Sequence, residues 1–217
     1  MPTEIVLHDW WRSTASWRVR IALHLAGLPF RSVAVDLTAG AQAAPAHRAL
    51  NPQGLVPMLE IDGLRLIQSL AILDYLGDTG RVALVPDDPA EKARMRAVCL
   101  AICADIHPVA NLRVLNRVAA LAGEGARKAW AADVIREGLC AVEALLAQAP
   151  PGRHALGDAL SQADLCIAPQ LYNAARWGVE TADLPRLTAA AAAVAEHPAF
   201  LAAHADAVRA EAACPTP

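Results

Sequence analysis

Aromatic residues make up only 4% of this 217-residue chain, although 55% of it is hydrophobic, with alanine prominent. So few tyrosines, phenylalanines and tryptophans argue against a β-sandwich, and abundant alanine favours a helix-rich protein. The five cysteines are odd in number and scattered, with no C-x-x-C pair, which supports neither a disulfide framework nor a zinc site. Cys99 and Cys103 lie one helical turn apart without companion ligands, so they read as buried structural thiols. The seven histidines form no H-E-x-x-H pattern, and no metal site is expected. No apolar run reaches the length of a bilayer span, and the start "MPTEIVLHDWWR" lacks the basic and then apolar regions of a secretory signal. A cytoplasmic protein is the expectation. Nineteen basic residues against 22 acidic ones give a net charge of −3, so neither nucleic acid nor a membrane surface is an expected partner.

What is present is a change of pattern along the chain. "EIVLHDW" has strand character, and the following helical stretch spaces Trp17, Ile21 and Leu25 by four residues and stops at a Gly27 C-cap. "FRSVAVDL" alternates like a second strand, and "LVPMLEIDGLRLIQS" places two short apolar runs around Asp62-Gly63, a strong hairpin signal. "SLAILDYLGD" then reads as a helix opening at Ser69. The order β–α–β, connecting segment, β–β–α predicts a thioredoxin-like α/β domain, a mixed sheet with helices on both faces. From the linker-like "VPDDPAEKAR" onward every periodic stretch is helical, which predicts a second, all-α domain. Within it Ser161 and Asp164 form a capping-box pattern, with Leu160 and Leu165 at the staple positions. The boundaries expected are 1–84 and 91–212.

The stretch "WWRSTASWRVRIAL" sets two hydroxyls, Ser13 and Thr14, at the start of the first helix. A hydroxyl there is ordinarily a cap for the unpaired N–H groups of the first turn. The same helix start, at the positive end of the dipole, also suits an anion that takes part in chemistry.

The segments "STASWRVRIAL", "NPQGLVPMLEIDG", "IQSLAILDYL", "DIHPVANLRVL" and "ADLCIAPQLYNAARW", in this order and spacing, resemble the cytosolic glutathione transferases, and in particular their zeta class. The resemblance covers nearly the whole chain. It implies glutathione as cofactor, a homodimer, glutathione binding by residues 1–84 and substrate selection by 91–212. The activity it implies is cis–trans isomerisation of a maleyl diketo acid, maleylacetoacetate or maleylpyruvate, in aromatic catabolism.

Residue by residue, the resemblance places the thiolate at Ser13, with Thr14 as a secondary contact. Val56-Pro57 resembles the family's cis-proline element, whose preceding residue pairs with the cysteinyl backbone as an added strand would. Gln68 and Ser69 open a helix assigned to the γ-glutamyl carboxylate, and Gln53 adds a contact near the glycyl end. A hydroxyl donor and a helix N-terminus together lower a thiol pKa from about 8.5 toward neutrality. Arg12, beside the thiolate position, and His107, Arg113 and Arg176 are the candidates for the substrate carboxylates. Arg18 and Arg20 belong to the signature and are read as structural. Ala15 departs from it, standing where the class carries cysteine, so no protein thiol is available at that position. Two rival readings share much of this pattern: a transferase that conjugates glutathione to electrophiles, and a binding module without catalysis.

Overall fold

The computed structural model describes residues 4–213. Its described residues form two compact units: the chain up to Ala83 joined by the segment from His197 onward, and Leu84–Glu196.

The first unit is built on four short strands, β1 (Val6–Asp9), β2 (Arg31–Ala34), β3 (Met58–Ile61) and β4 (Leu64–Ile67), in the spatial order β2-β1-β3-β4. β1 and β2 are parallel, and the other two pairings are antiparallel. The parallel pair is joined by α1 (Thr14–Leu25), as a parallel connection requires a crossover. Asp62 and Gly63 both adopt positive φ, 53° and 76°, and make the two-residue turn whose twist matches a β-hairpin. α3 (Ser69–Asp78) follows β4. The thioredoxin-like expectation holds, with one addition. The segment expected only to connect carries a 3-10 turn at Ala41–Ala43 and a short helix, α2 (Pro45–Leu50), started by proline at its first position.

Strand alternation places the helices on opposite faces. Asp9 of β1 pairs with Arg20 of α1, whereas the neighbouring His8 lies with its ring 6.4 Å from that of His47 in α2. α1 is buried along its whole length from Thr14 to Leu23, a wider burial than the four-residue stripe predicts. It packs on α3 and on α9 (Pro198–Ala203), which α10 (Ala205–Ala213) follows. The α1 C-cap is Ala26 rather than Gly27. Gly27, with φ 62°, takes the left-handed position just beyond it, where glycine carries no steric penalty.

The second unit is helical, as expected. α4 (Pro89–Leu100) starts at Asp88, whose carboxylate accepts the N–H groups of Ala90 and Glu91 at 2.9 Å. It runs into a π-helical stretch, Ala101–Ile106, and then α5 (His107–Val109). Pro108 explains the widening: it cannot donate to Ala104, and its ring crowds that carbonyl, so the ladder shifts and His107 donates to Ile102. α6 (Leu112–Ala147) is interrupted at Gly123 (φ 87°, ψ 170°), a backbone conformation open essentially to glycine. Further along α6 a Cβ on Gly138 would stand 2.2 Å from Ile106, so glycine there permits close approach to the π-helical stretch. α7 (Gln162–Arg176) opens with the expected capping box, Asp164 accepting the Ser161 N–H at 2.9 Å and also the Ala155 N–H at 2.9 Å. α8 (Pro185–Val194) completes the unit. The stretch Pro89–Ala147 contains a window long and apolar enough to cross a membrane by composition. Extended backbone at Asn111 and the Gly123 break divide that stretch.

Candidate active site

Three chain segments meet at one end of the sheet because of strand register. His8 of β1 pairs with Met58 of β3, and Met58 with Ile67 of β4. The segment leaving β1 toward Ser13, the segment entering β3 through Val56-Pro57, and the segment leaving β4 through Gln68-Ser69 therefore share that edge.

Ser13 is the N-cap of α1, with extended backbone (φ −69°, ψ 116°) and a side chain that accepts the Ser16 N–H at 3.2 Å. The accepting oxygen keeps its own proton for a further bond. Ser13 is half-buried, whereas Thr14, one residue into the helix, is 3% exposed. Ala15 is buried at the second helical position.

The Val56-Pro57 bond is cis. Neither the N–H nor the C=O of Val56 has a hydrogen-bond partner among the described residues, while the adjacent Leu55 carbonyl accepts from His47 and Asn51. A free donor and acceptor on one residue beside a strand is what an added extended peptide requires. Gln68, not Ser69, is the N-cap of α3, and Ser69 is its first helical residue. The helix thus opens at Gln68-Ser69, where the sequence places it. Gln68 donates to Gln53 at 2.9 Å, so the two amides expected to serve the same ligand do stand together.

Two arginines of α1 support this edge from below. Arg20 donates to Asp9 at 2.6 Å and to the carbonyls of Trp10 at 3.4 Å, Trp11 at 2.9 Å and Ala203 at 3.1 Å. It thereby clamps the chain just before Ser13. Burial pulls the Arg20 pKa below its ordinary value, and the attraction of Asp9 acts in the opposite direction. Arg18 donates to the Ser69 hydroxyl at 3.0 Å.

Arg12 lies over the Trp11 ring at 5.3 Å, and Arg209 of α10 lies 5.0 Å from the same ring. Neither has a carboxylate partner among the described residues. Sequence reasoning missed Arg209, because nothing in "DAVRAEAA" signals that this helix returns to Trp11.

The other candidate cations belong to the second unit. Arg113 is exposed in the first turn of α6, where the helix dipole disfavours a cation, and has no carboxylate partner among the described residues. Arg176 is exposed in the last turn of α7, with its Nη1 3.4 Å from Asn173. His107 is half-buried at the junction of the π-helical stretch with α5. Cys99 and Cys166 are buried, Cys103 is half-buried with its sulfur 3.7 Å from that of Cys166, and Cys140 is exposed. Among the described residues no cluster of metal-ligating side chains occurs.

Comparison with known proteins bears on the whole chain. Residues 3–78 match the family described as "Glutathione S-transferase, N-terminal domain". A maleylacetoacetate isomerase of Rhizobium meliloti (strain 1021) is 51% identical over 209 residues, covering 95% of this chain and 98% of its own. The structure of a bacterial maleyl pyruvate isomerase of the zeta class superposes with a TM-score of 0.89 at 39% identity, covering 93% of this chain and 97% of its own. A maleylacetoacetate isomerase from Methylobacterium extorquens AM1, solved with malonate and glutathione bound, gives 0.89 at 37% identity, with coverage of 93% and 97%. Identity of this extent, nearly end to end and joined to the same fold, leaves one assignment: the chain belongs to the zeta class of the glutathione transferases.

Proposed function

We propose that the protein is a glutathione-dependent isomerase that converts a maleyl diketo acid to its fumaryl isomer. The observation that carries this reading is the convergence at one sheet edge of Ser13, the unpaired backbone of Val56 and the start of α3 at Ser69. The Rhizobium meliloti relative is named for maleylacetoacetate, and the neighbour structure from Methylobacterium extorquens binds glutathione together with a dicarboxylate, malonate.

The edge offers a fit for each part of the tripeptide. Val56 supplies an N–H and a C=O for the cysteinyl backbone, Ser69 and the α3 start suit the γ-glutamyl carboxylate, and Gln53 and Gln68 supply amides. Bound glutathione supplies a thiolate that adds to the cis double bond, allows rotation about the resulting single bond, and leaves again as the trans bond forms. Ser13 stabilises that thiolate with the proton its cap role leaves free, assisted by the first-turn N–H groups of α1. For the substrate carboxylates the first unit offers Arg12, with Arg209 against the same Trp11 ring, and the second unit offers His107, Arg113 and Arg176. In this reading residues 1–84 bind glutathione, residues 91–212 select the substrate, and the protein works as a cytoplasmic homodimer.

Turnover of maleylacetoacetate, then of maleylpyruvate, is to be measured at substoichiometric glutathione while free thiol is titrated. Many turnovers per glutathione with constant thiol are expected. Loss of one thiol per turnover would replace the isomerase with a conjugating transferase, and failure to bind glutathione would leave only a binding module of another kind.

A further inference from the structure

Arg18 is a buried cation with no carboxylate partner among the described residues. It is 1% exposed, its Nη1 donates to Ser69 Oγ at 3.0 Å, and its Nε and Nη2 have no acceptor among the described residues. Arg20, two residues on and equally buried, shows the usual solution, an aspartate with backbone carbonyls around it. A guanidinium held away from water without a counter-charge is strongly disfavoured unless something compensates it. Here its one bond points to the residue that opens α3.

The direction of that bond matters. Guanidinium can only donate, so Ser69 Oγ accepts from Arg18 and must send its own proton elsewhere. Ser69 is the first residue of the ten-residue helix α3, whose N-terminal N–H groups and dipole favour an anion. We infer that Arg18 is a positioning residue for the γ-glutamyl carboxylate of glutathione: it fixes the Ser69 hydroxyl as a donor and supplies the buried positive charge behind the helix start. The inference rests on the glutathione reading above. It changes the role of Arg18 from structural support within α1 to the missing half of an ion pair whose anion arrives with the cofactor.

The test compares two ligands. One is glutathione and the other is 4-aminobutanoyl-cysteinylglycine, the same tripeptide without its γ-glutamyl α-carboxylate. Dissociation constants are measured by calorimetry for the wild-type protein and for Arg18→Met. The wild type should prefer glutathione by about tenfold or more, the scale of a charge-assisted hydrogen bond. Arg18→Met should lose most of that preference, with the affinity for the analogue nearly unchanged. A purely structural arginine would weaken both ligands alike and leave their ratio intact, and that result would overturn the inference. Should Arg18→Met not fold, Arg18→Gln keeps a polar donor on a shorter side chain without the charge, and it too must lose preference by at least about threefold. An unchanged ratio in that variant overturns the inference equally. A wild-type protein that binds neither ligand would remove the glutathione reading itself, an outcome distinct from a wild type whose preference survives in Arg18→Met.

Discussion

Arg20 and Asp9 form an ion pair at 2.6 Å with side chains only 1% and 2% exposed, and the same guanidinium holds the carbonyls of Trp10 and Trp11. Asp9 in turn accepts the Ser32 hydroxyl at 2.9 Å, which ties the pair to β2. Removing the carboxylate leaves a buried arginine with carbonyls alone. Asp9→Ala is therefore expected to cost about 3–5 kcal/mol of stability, read from urea unfolding. A loss below about 1 kcal/mol would show that the carbonyls suffice.

The two hydroxyls of the α1 start should separate cleanly. Ser13→Ala is expected to raise the thiol pKa of bound glutathione and to lower kcat tenfold or more, a barrier increase of about 1.4 kcal/mol or greater. It also removes a cap worth about 1 kcal/mol, so the comparison belongs well below the melting transition. Thr14→Ala, at a buried position, should change both quantities less. Thiolate absorbance against pH is the measurement, and a larger shift in Thr14→Ala would reverse the assignment.

How much of this site is visible in the sequence depends on the range of the interaction. The Asp62-Gly63 turn and the α1 start are local, fixed by residues a few positions apart, and both stand where the sequence puts them. α2 hides because "APAHRALN" is short, with little periodicity to set it apart from a loop. Arg18 and Arg20 are adjacent members of one signature, yet one finds an aspartate and the other a serine 51 residues away. Only the folded chain distinguishes a paired arginine from an unpaired one. Arg209 is further still from Trp11 in sequence, and no pattern marks it.

Loss of substrate cations should show in the kinetics. Arg12→Ala and Arg176→Ala are each expected to lower kcat/KM for the maleyl substrate by about ten- to a hundredfold while glutathione affinity changes little, as loss of a bond worth roughly 1.5–3 kcal/mol predicts. Arg209→Ala should follow Arg12→Ala in direction, since both lie against Trp11. Normal turnover in Arg12→Ala and Arg176→Ala would place the carboxylate contacts on other residues.

Cysteine chemistry should be dispensable. Ala15 occupies the position where the class signature has cysteine, and Cys140 is the one exposed thiol among the described cysteines. Alkylating the protein before adding glutathione should leave most of the activity. Inactivation that tracks modification of one cysteine, with the circular dichroism spectrum unchanged, would contradict this.

α9 packs on α1, with the Ala203 carbonyl accepting from Arg20 and the His204 ring standing edge-on to Trp17 at 4.7 Å. On a ribosome these partners are made at opposite ends of the task. The strands and α1 leave the exit tunnel first, but α9 emerges only after all of Leu84–Glu196 has been synthesised. Folding during synthesis ordinarily proceeds from the N-terminal domain onward. Here the middle of the chain is the first stretch able to close a unit of its own, and the segment that bears the edge of Ser13, Val56 and Ser69 waits for the last helices before its α1 face is covered.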